Sequence, residues 1–392
     1  MTHDFNAMYA SVQSWIDREF LVGASAAVLV GGELVDVRHW GYASREAGTV
    51  MDDEVIFRIF SNTKWITSVA AMLLVEDGAL ALDDALDQYL PEFSDLRVLR
   101  AGAASLADTE ALIRQPTVRE LFCHCAGFTY GPFQEGFLDG EYMGRGLLSP
   151  DTTLEETVTR LAGLPLARQP GLRWQYSIAT DVLARLVEVV SGMAFDAFLR
   201  ARLFEPLGMI DTDFWVPPEK AHRLAGNYVP VDPMDPMKPG INAAPDVMLG
   251  PATERSAFLS GGGGLMSTLA DYTRFVRMLV NDGVHDGERI VRSETLAEMW
   301  RHQLPPGKQV ELPQGWEMPD TTFGLGFAIK DAPAPGEPHT AIGEVHWGGL
   351  AGTHSWIAPR AGVAALIFTQ RLPGFWHPFS HDFKREVYAA TR

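Results

Sequence analysis

FRIFSNTKWITSVAAMLLVEDGAL, residues 57–80, places a serine and a lysine three apart where an apolar helical repeat begins. Trp65, Ile66, Val69, Met72 and Leu73 return with helical period between Thr63 and Glu76, and DGALALDD closes the segment. Ser61 therefore falls at or just inside a helix start, with Lys64 on the same face. A serine hydroxyl is a poor nucleophile until a base takes its proton, and a lysine acts as a base only where burial or another cation lowers its pKa from about 10.4. Free N–H groups at a helix start can also face a developing oxyanion. On spacing alone the two residues read more readily as the polar lip of a packed helix, because an S-x-x-K spacing is expected about once by chance in a chain of this size.

Around this stretch lie 392 residues, 46% apolar and 21% charged, enough to bury a large core and to form two lobes sharing one cleft. The 32 basic and 50 acidic side chains leave a net charge of −18, which repels nucleic acid and anionic membrane surfaces. The opening MTHDFNAMYASVQSWIDREF lacks the basic-then-apolar pattern of a signal peptide, and no run approaches the about 20 apolar residues of a membrane span, so no membrane insertion is expected. Cys123 and Cys125 flank His124, too tightly for a C-x-x-C metal or redox arrangement. They are expected to be structural thiols, which favours a reducing, cytoplasmic setting.

Phe5, Met8, Val12, Trp15 and Ile16 share a helical face, and AAVLVGGELVDVRHWGYA reads as two strands joined across Gly31-Gly32. Residues 86–255 read as a mostly helical insert, with TLEETVTRLAGL and IATDVLARLVEVVSG as helices and the proline-crowded stretch 229–254 as a long aperiodic loop. FGLGFAI, GEVHWGGLAGTHSWIAP and GVAALIFTQ read as antiparallel strands near the C-terminus. The expected fold is α+β: a discontinuous α/β sheet lobe over 1–85 and 256–392, completed by both ends of the chain, with the helical lobe between and a cleft at their junction.

Three elements carry a family resemblance. FRIFSNTKWITSVAAMLLVEDGALALDD resembles the signature of the serine beta-lactamase and penicillin-recognising superfamily, which includes class C beta-lactamases, DD-peptidases and family VIII carboxylesterases. The resemblance makes Ser61 the nucleophile and Lys64 its partner. PGLRWQYSIATDVLARLVE is similar to the second element, whose tyrosine assists proton transfer, and this places that role on Tyr176. Class C enzymes carry an asparagine two residues after this tyrosine, whereas this chain has Tyr176-Ser177-Ile178. The third element, a basic residue, then Thr or Ser, then Gly, is replaced by His346-Trp347-Gly348-Gly349-Leu350, which resembles the family VIII form. An indole cannot supply the charge that a lysine offers a substrate carboxylate, so Trp347 points towards neutral esters. The glycines are expected to let substrate approach the strand backbone, making Trp347, Gly348 and Gly349 substrate-binding residues. By the same resemblance the oxyanion hole is formed by the N–H groups of Ser61 and Leu350.

Other residues weigh against rival chemistries. His346 and His354 read as structural histidines, and His124-Cys125-Ala126-Gly127 as a packing loop beside the cleft. SGGGGLMST, 260–268, lacks a Walker lysine and reads as a turn supporting the cleft. G-x-S-x-G is absent, against an ordinary α/β-hydrolase, and neither a paired-carboxylate site nor H-E-x-x-H appears. Phe128, Tyr130, Phe133, Trp347, Trp356, Phe375 and Trp376 are candidates for an aromatic rim, with Phe128 and Tyr130 assigned to substrate binding. The expectation is a carboxylic ester hydrolase acting on a small-molecule ester, short-chain or aryl, through an acyl-serine, with no cofactor and no metal. A beta-lactamase or D-amino-acid amidase, an acyltransferase using the same acyl-enzyme, and a non-catalytic binding protein are the alternatives; homo-oligomerisation stays open.

Overall fold

The computed structural model describes residues 3–131, 136–245, 252–312 and 318–392. Its centre is one antiparallel sheet of eight strands: β1 (Gly23–Val30), β2 (Glu33–Ser44), β3 (Thr49–Val50), β4 (Thr321–Phe323), β5 (Ala328–Lys330), β6 (Val345–Gly349), β7 (Thr353–Ala358) and β8 (Val363–Phe368). They lie in the order β4-β5-β6-β7-β8-β1-β2-β3, so the join between the chain's two ends is the β8–β1 pair, with Ser25 opposite Phe368 and Val30 opposite Val363. The Gly31-Gly32 turn has φ of 59° and 83°, which glycine adopts without strain and which matches the twist of a tight hairpin. β8, VAALIF, is buried along its whole length because both sheet faces are covered.

The two faces bury separate cores. Helix α1 (Asn6–Asp17) turns Met8, Val12 and Trp15 onto the outer face, where α5 (Phe379–Ala390) packs beside it against Val28, Trp356 and Ile367. The inner face, including Leu29, Leu366 and Trp347, shares one core with α2 (Thr63–Glu76), α3 (Ala179–Ser191) and α4 (Leu269–Val280), α4 packing on β1 and β8 and α3 packing on α2. From Thr63 to Leu74 every residue of α2 is buried, so the helix is enclosed by protein on all sides.

A short strand pair positions the site. Ile56–Arg58 pairs antiparallel with Met266–Thr268, which fixes the turn carrying Ser61 beside the glycine-rich 260–264 segment. The proline-crowded stretch, of which 246–251 lie outside the described residues, differs in part from its expected form as a long loop. Tyr228–Pro230 pairs with Ile241–Ala243, and Ala225, Gly226 and Tyr228 donate backbone N–H groups to Ile56, Ala43 and Gln370. Residues 224–244, which the sequence groups with the helical insert, are thereby bonded to the sheet side. Three-residue strands between prolines carry no detectable period, and their partners lie far away in sequence. The insert also holds a second small hairpin, Arg97–Leu99 with Thr109–Ala111.

Candidate active site

Ser61 sits in a single 3₁₀ turn, Phe60–Asn62, which runs directly into α2. The preceding Phe60 has φ of 45°, a left-handed conformation costing a non-glycine residue about 1–3 kcal/mol, held here by the surrounding packing. At the second residue of α2, Lys64 places its Nζ 3.1 Å from Ser61 Oγ. The Tyr176 hydroxyl, from the segment entering α3, lies 2.8 Å from the same oxygen. Lys64 Nζ also sits 4.7 Å from the centre of the Tyr176 ring. Three residues separated by up to 115 positions thus converge on one oxygen.

Lys64 is 2% exposed and also donates to the carbonyl of Gly262. Gly262 donates its own N–H to Asp181 Oδ1 at 3.0 Å, and Ser260 Oγ donates to that same oxygen at 2.6 Å. The glycine-rich turn therefore supports the cleft by carrying Lys64 on one side and leaning on Asp181 on the other. Its glycines are required by proximity: a Cβ on Gly261 would stand 2.6 Å from Ala184 Cβ, and one on Gly262 would stand 2.7 Å from Asp181 Oδ2. Burial raises the pKa of Asp181, opposed by its hydrogen bond from Ser260 and by the Lys64 charge. Asp181 was not legible in sequence. It lies in an apolar helix whose neighbours 179–184 are all buried, so no polar face marks it.

Tyr176 is fixed by rings: His124 at 5.0 Å, Tyr130 at 5.2 Å, Trp347 at 5.4 Å and Trp174 stacked at 6.1 Å. His124 hydrogen-bonds Ser177 Oγ at 3.0 Å, and burial, then the Lys64 charge, holds its pKa well below the ordinary range. The His124–Gly127 run is accordingly packing beside the cleft. Cys123 and Cys125 are buried free thiols, and the Cys125 Sγ is directed at the Cys123 carbonyl.

Ser61, Tyr176, Leu312, Trp347, Gly348, Leu350 and Phe375 line a small pocket over the serine, without a charged side chain among them. Asn62 braces its floor by donating to the Thr353 carbonyl and accepting from Ser355 Oγ. The room left by the two glycines is taken by protein atoms. A Cβ on Gly349 would lie 2.3 Å from the Ile59 carbonyl, and one on Gly348 would lie 2.6 Å from His354 Nδ1. Gly349 thus lets β6 press against the segment leading into the Ser61 turn, and Gly348 lets it lie close to His354 of β7 while still lining the pocket.

The aromatic candidates separate. Tyr130 reaches the site, with Lys64 Nζ 5.3 Å from its ring centre. Phe128 does not: it is 1% exposed and packs on Phe93 at 5.6 Å, in the core below the site. Phe375 lines the pocket, whereas Trp356 belongs to the outer face, 4.8 Å from Tyr388. Phe133 lies outside the described residues. His346 alternates outward from β6, away from Ser61, and His354 Nε2 bonds the Gly374 carbonyl. Among the described residues no group of three or more His, Cys, Asp or Glu side chains is placed to hold a metal, and no helix is long and apolar enough to cross a membrane.

An antiparallel sheet backed by helices, with a serine at the head of a buried helix and a lysine and a tyrosine on its oxygen, defines a beta-lactamase-like protein. The chain belongs to the Beta-lactamase family, whose model matches residues 15–388. It is 33% identical over 383 residues to esterase EstB of Burkholderia gladioli, covering 94% of this chain and 91% of that one. It is 28% identical over 357 residues to monacolin J acid methylbutanoyltransferase of Aspergillus terreus, covering 85% and 81% respectively. The solved structure of EstCE1, a hydrolase with promiscuous acyltransferase activity, superposes with a TM-score of 0.82 at 26% identity, over 97% of both chains.

Proposed function

We propose that this protein is a serine ester hydrolase that cleaves uncharged short-chain or aryl esters of carboxylic acids through an acyl-serine at Ser61, in the manner of the family VIII carboxylesterases. The observation that carries the reading is the placement of one hydroxyl within hydrogen-bond reach of both Lys64 and Tyr176, under a pocket whose described lining residues carry no charge. Ser61 Oγ attacks the ester carbonyl while its proton passes to the Lys64–Tyr176 pair, both members of which reach that oxygen. The tetrahedral oxyanion faces the N–H groups of Ser61 and Leu350. Collapse breaks the ester C–O bond, and the pair returns the proton to the departing alcohol. Water then enters, gives a proton to the same pair as its oxygen attacks the acyl carbon, and the acyl bond to Ser61 Oγ breaks; the pair returns the proton to Ser61 and the acid leaves. Trp347, where a charged residue would hold a substrate carboxylate, supports neutral esters over penicillins, as does the esterase relative.

Initial rates on p-nitrophenyl butyrate and nitrocefin, for wild type and Ser61→Ala, test this. Ester cleavage that falls at least a thousandfold in the variant, with slow nitrocefin turnover, is the expected result. Ester cleavage that survives the substitution moves the nucleophile elsewhere, and fast Ser61-dependent nitrocefin cleavage makes a beta-lactamase the better reading. The transferase relative and EstCE1 favour a second reading, capture of the acyl-serine by an alcohol; transfer to added 1-butanol exceeding hydrolysis would select it.

A further inference from the structure

The pocket over Ser61 is bordered by residues of both the sheet side and the insert. Three rings form one run along it: Trp347 lies 5.4 Å from Tyr176 on one side and 5.4 Å from Phe375 on the other. Leu312 completes the described lining and comes from a separate segment, 303–312, which has no regular secondary structure. That segment is tied to the sheet by the Gln303 and Val310 N–H groups, which donate to the carbonyls of Phe323 and Thr321. Val310 is buried, whereas Leu312 is only partly so. Glu311, between them, turns to the insert and pairs with Arg173, three residues before Tyr176. One ion pair therefore joins the two sides next to the residue that borders the pocket.

We propose that Leu312 sets the largest alcohol group the enzyme accepts and that the Glu311–Arg173 pair holds it in that position; the proposal rests on the esterase reading above. The alcohol is assigned to this pocket by the proton it must receive. Its departure breaks the ester C–O bond and takes a proton from the Lys64–Tyr176 pair. Of these two only Tyr176 borders the pocket, Lys64 being 2% exposed. The alcohol oxygen therefore comes within reach of the Tyr176 hydroxyl, and the group it carries lies along the aromatic wall, which suits one flat ring. Trp347 is buried and braced by rings on both sides, so the partly exposed Leu312 is the part of the wall that a larger alcohol must displace. The side chains of Arg173 and Glu311 are 47% and 46% exposed, so their pair is a weak clamp that yields without unfolding the protein.

Phenyl butyrate and 2-naphthyl butyrate share an acyl group and release phenols of nearly equal acidity, so the ratio of their kcat/KM values reads the size of the alcohol. Leu312→Ala should raise the naphthyl-to-phenyl ratio about tenfold or more, and Leu312→Phe should lower it. Glu311→Gln should raise it about twofold to fivefold, the scale of an exposed ion pair, and the double variant Arg173→Glu, Glu311→Arg should return it to the wild-type value. The ratio of phenyl octanoate to phenyl butyrate, which differ only in the acyl group, should stay unchanged throughout. An unmoved naphthyl ratio in Leu312→Ala overturns the role of Leu312, and an unmoved ratio in Glu311→Gln overturns the clamp. A shift confined to the octanoate ratio overturns the assignment of the pocket to the alcohol. Wild-type protein that cleaves neither butyrate in a Ser61-dependent way overturns the esterase reading and this one with it, a result distinct from cleavage with unmoved ratios. Thermal melting of each variant identifies unfolding, and Glu311→Gln, at an exposed position, keeps the test decisive if Leu312→Ala does not fold.

Discussion

At the scale of the residue, the chemistry depends on two groups sharing one oxygen. Because Lys64 and Tyr176 both reach Ser61 Oγ and contact each other, removing either one disables the proton relay that the other serves. Lys64→Met and Tyr176→Phe should each lower kcat/KM for p-nitrophenyl butyrate by about 10²–10⁴-fold, and the double variant should be little worse than the poorer single one. Steady-state kinetics on the four proteins measures this, and multiplicative losses would mean that the two groups act independently. Asp181 acts at one remove, as a positioning residue that holds the Gly262 peptide against Lys64 and places negative charge near the ammonium. Asp181→Asn should lower kcat at least tenfold, a loss of roughly one charge-assisted hydrogen bond, and move the pH–rate profile towards lower pH, since an anion favouring the ammonium is gone. A lower rate with an unmoved profile would leave Asp181 a purely structural part.

At the scale of the element, α5 is fastened to the sheet by buried charge. Glu344, just before β6, is fully buried and receives Lys384 and Tyr388 from α5, with Lys330 of β5 alongside. Burial alone would raise its pKa, but the two ammonium groups outweigh it and hold the carboxylate below its ordinary value. Glu344→Gln leaves the buried Lys384 without its carboxylate, while Lys330 keeps Glu337, and the uncompensated charge should destabilise the fold by about 3–5 kcal/mol. Urea denaturation should show this as a lower midpoint at unchanged slope. A midpoint within error of the wild type would show that the cluster is no stronger than a neutral hydrogen-bonded one.

At the scale of the whole molecule, buried histidines set the acid side of the stability curve. His124, His346, His354, His377 and His381 all have pKa values lowered chiefly by burial, with His354 and His377 pushed down to about 3. The unfolded chain protonates them near pH 6.5 while the folded one does not, so it binds more protons below that point and stability falls as pH falls. For His354 and His377 the window runs from about 6.5 to about 3, and each removes about 1.4 kcal/mol per pH unit within it. Thermal melting from pH 8 to pH 5 should give a plateau above about pH 7 and a steady decline below it. A melting temperature unchanged at pH 5 would mean that these rings are protonated in the fold.

The helix after Ser61, the hairpin at Gly31-Gly32 and the C-terminal strands were readable because each is a local pattern: apolar residues at period 3.6 or 2, punctuated by glycine. The spacing of Ser61 and Lys64 is set by one helical turn, and with Tyr176 and the Trp347 strand it was enough to indicate the family. What required the tertiary structure is whatever depends on close approach between segments distant in sequence. The contact of Asp181 with a turn some eighty residues away, the burial of Phe128 on Phe93, the occupation of the space beside Gly348 and Gly349 by protein atoms, and the attachment of 224–244 to the sheet all belong here. Periodicity reports which face of an element is apolar. It carries no information about which other element covers that face, and this choice decided whether each aromatic or acidic side chain ended at the catalytic serine, in the core, or on the far side of the sheet.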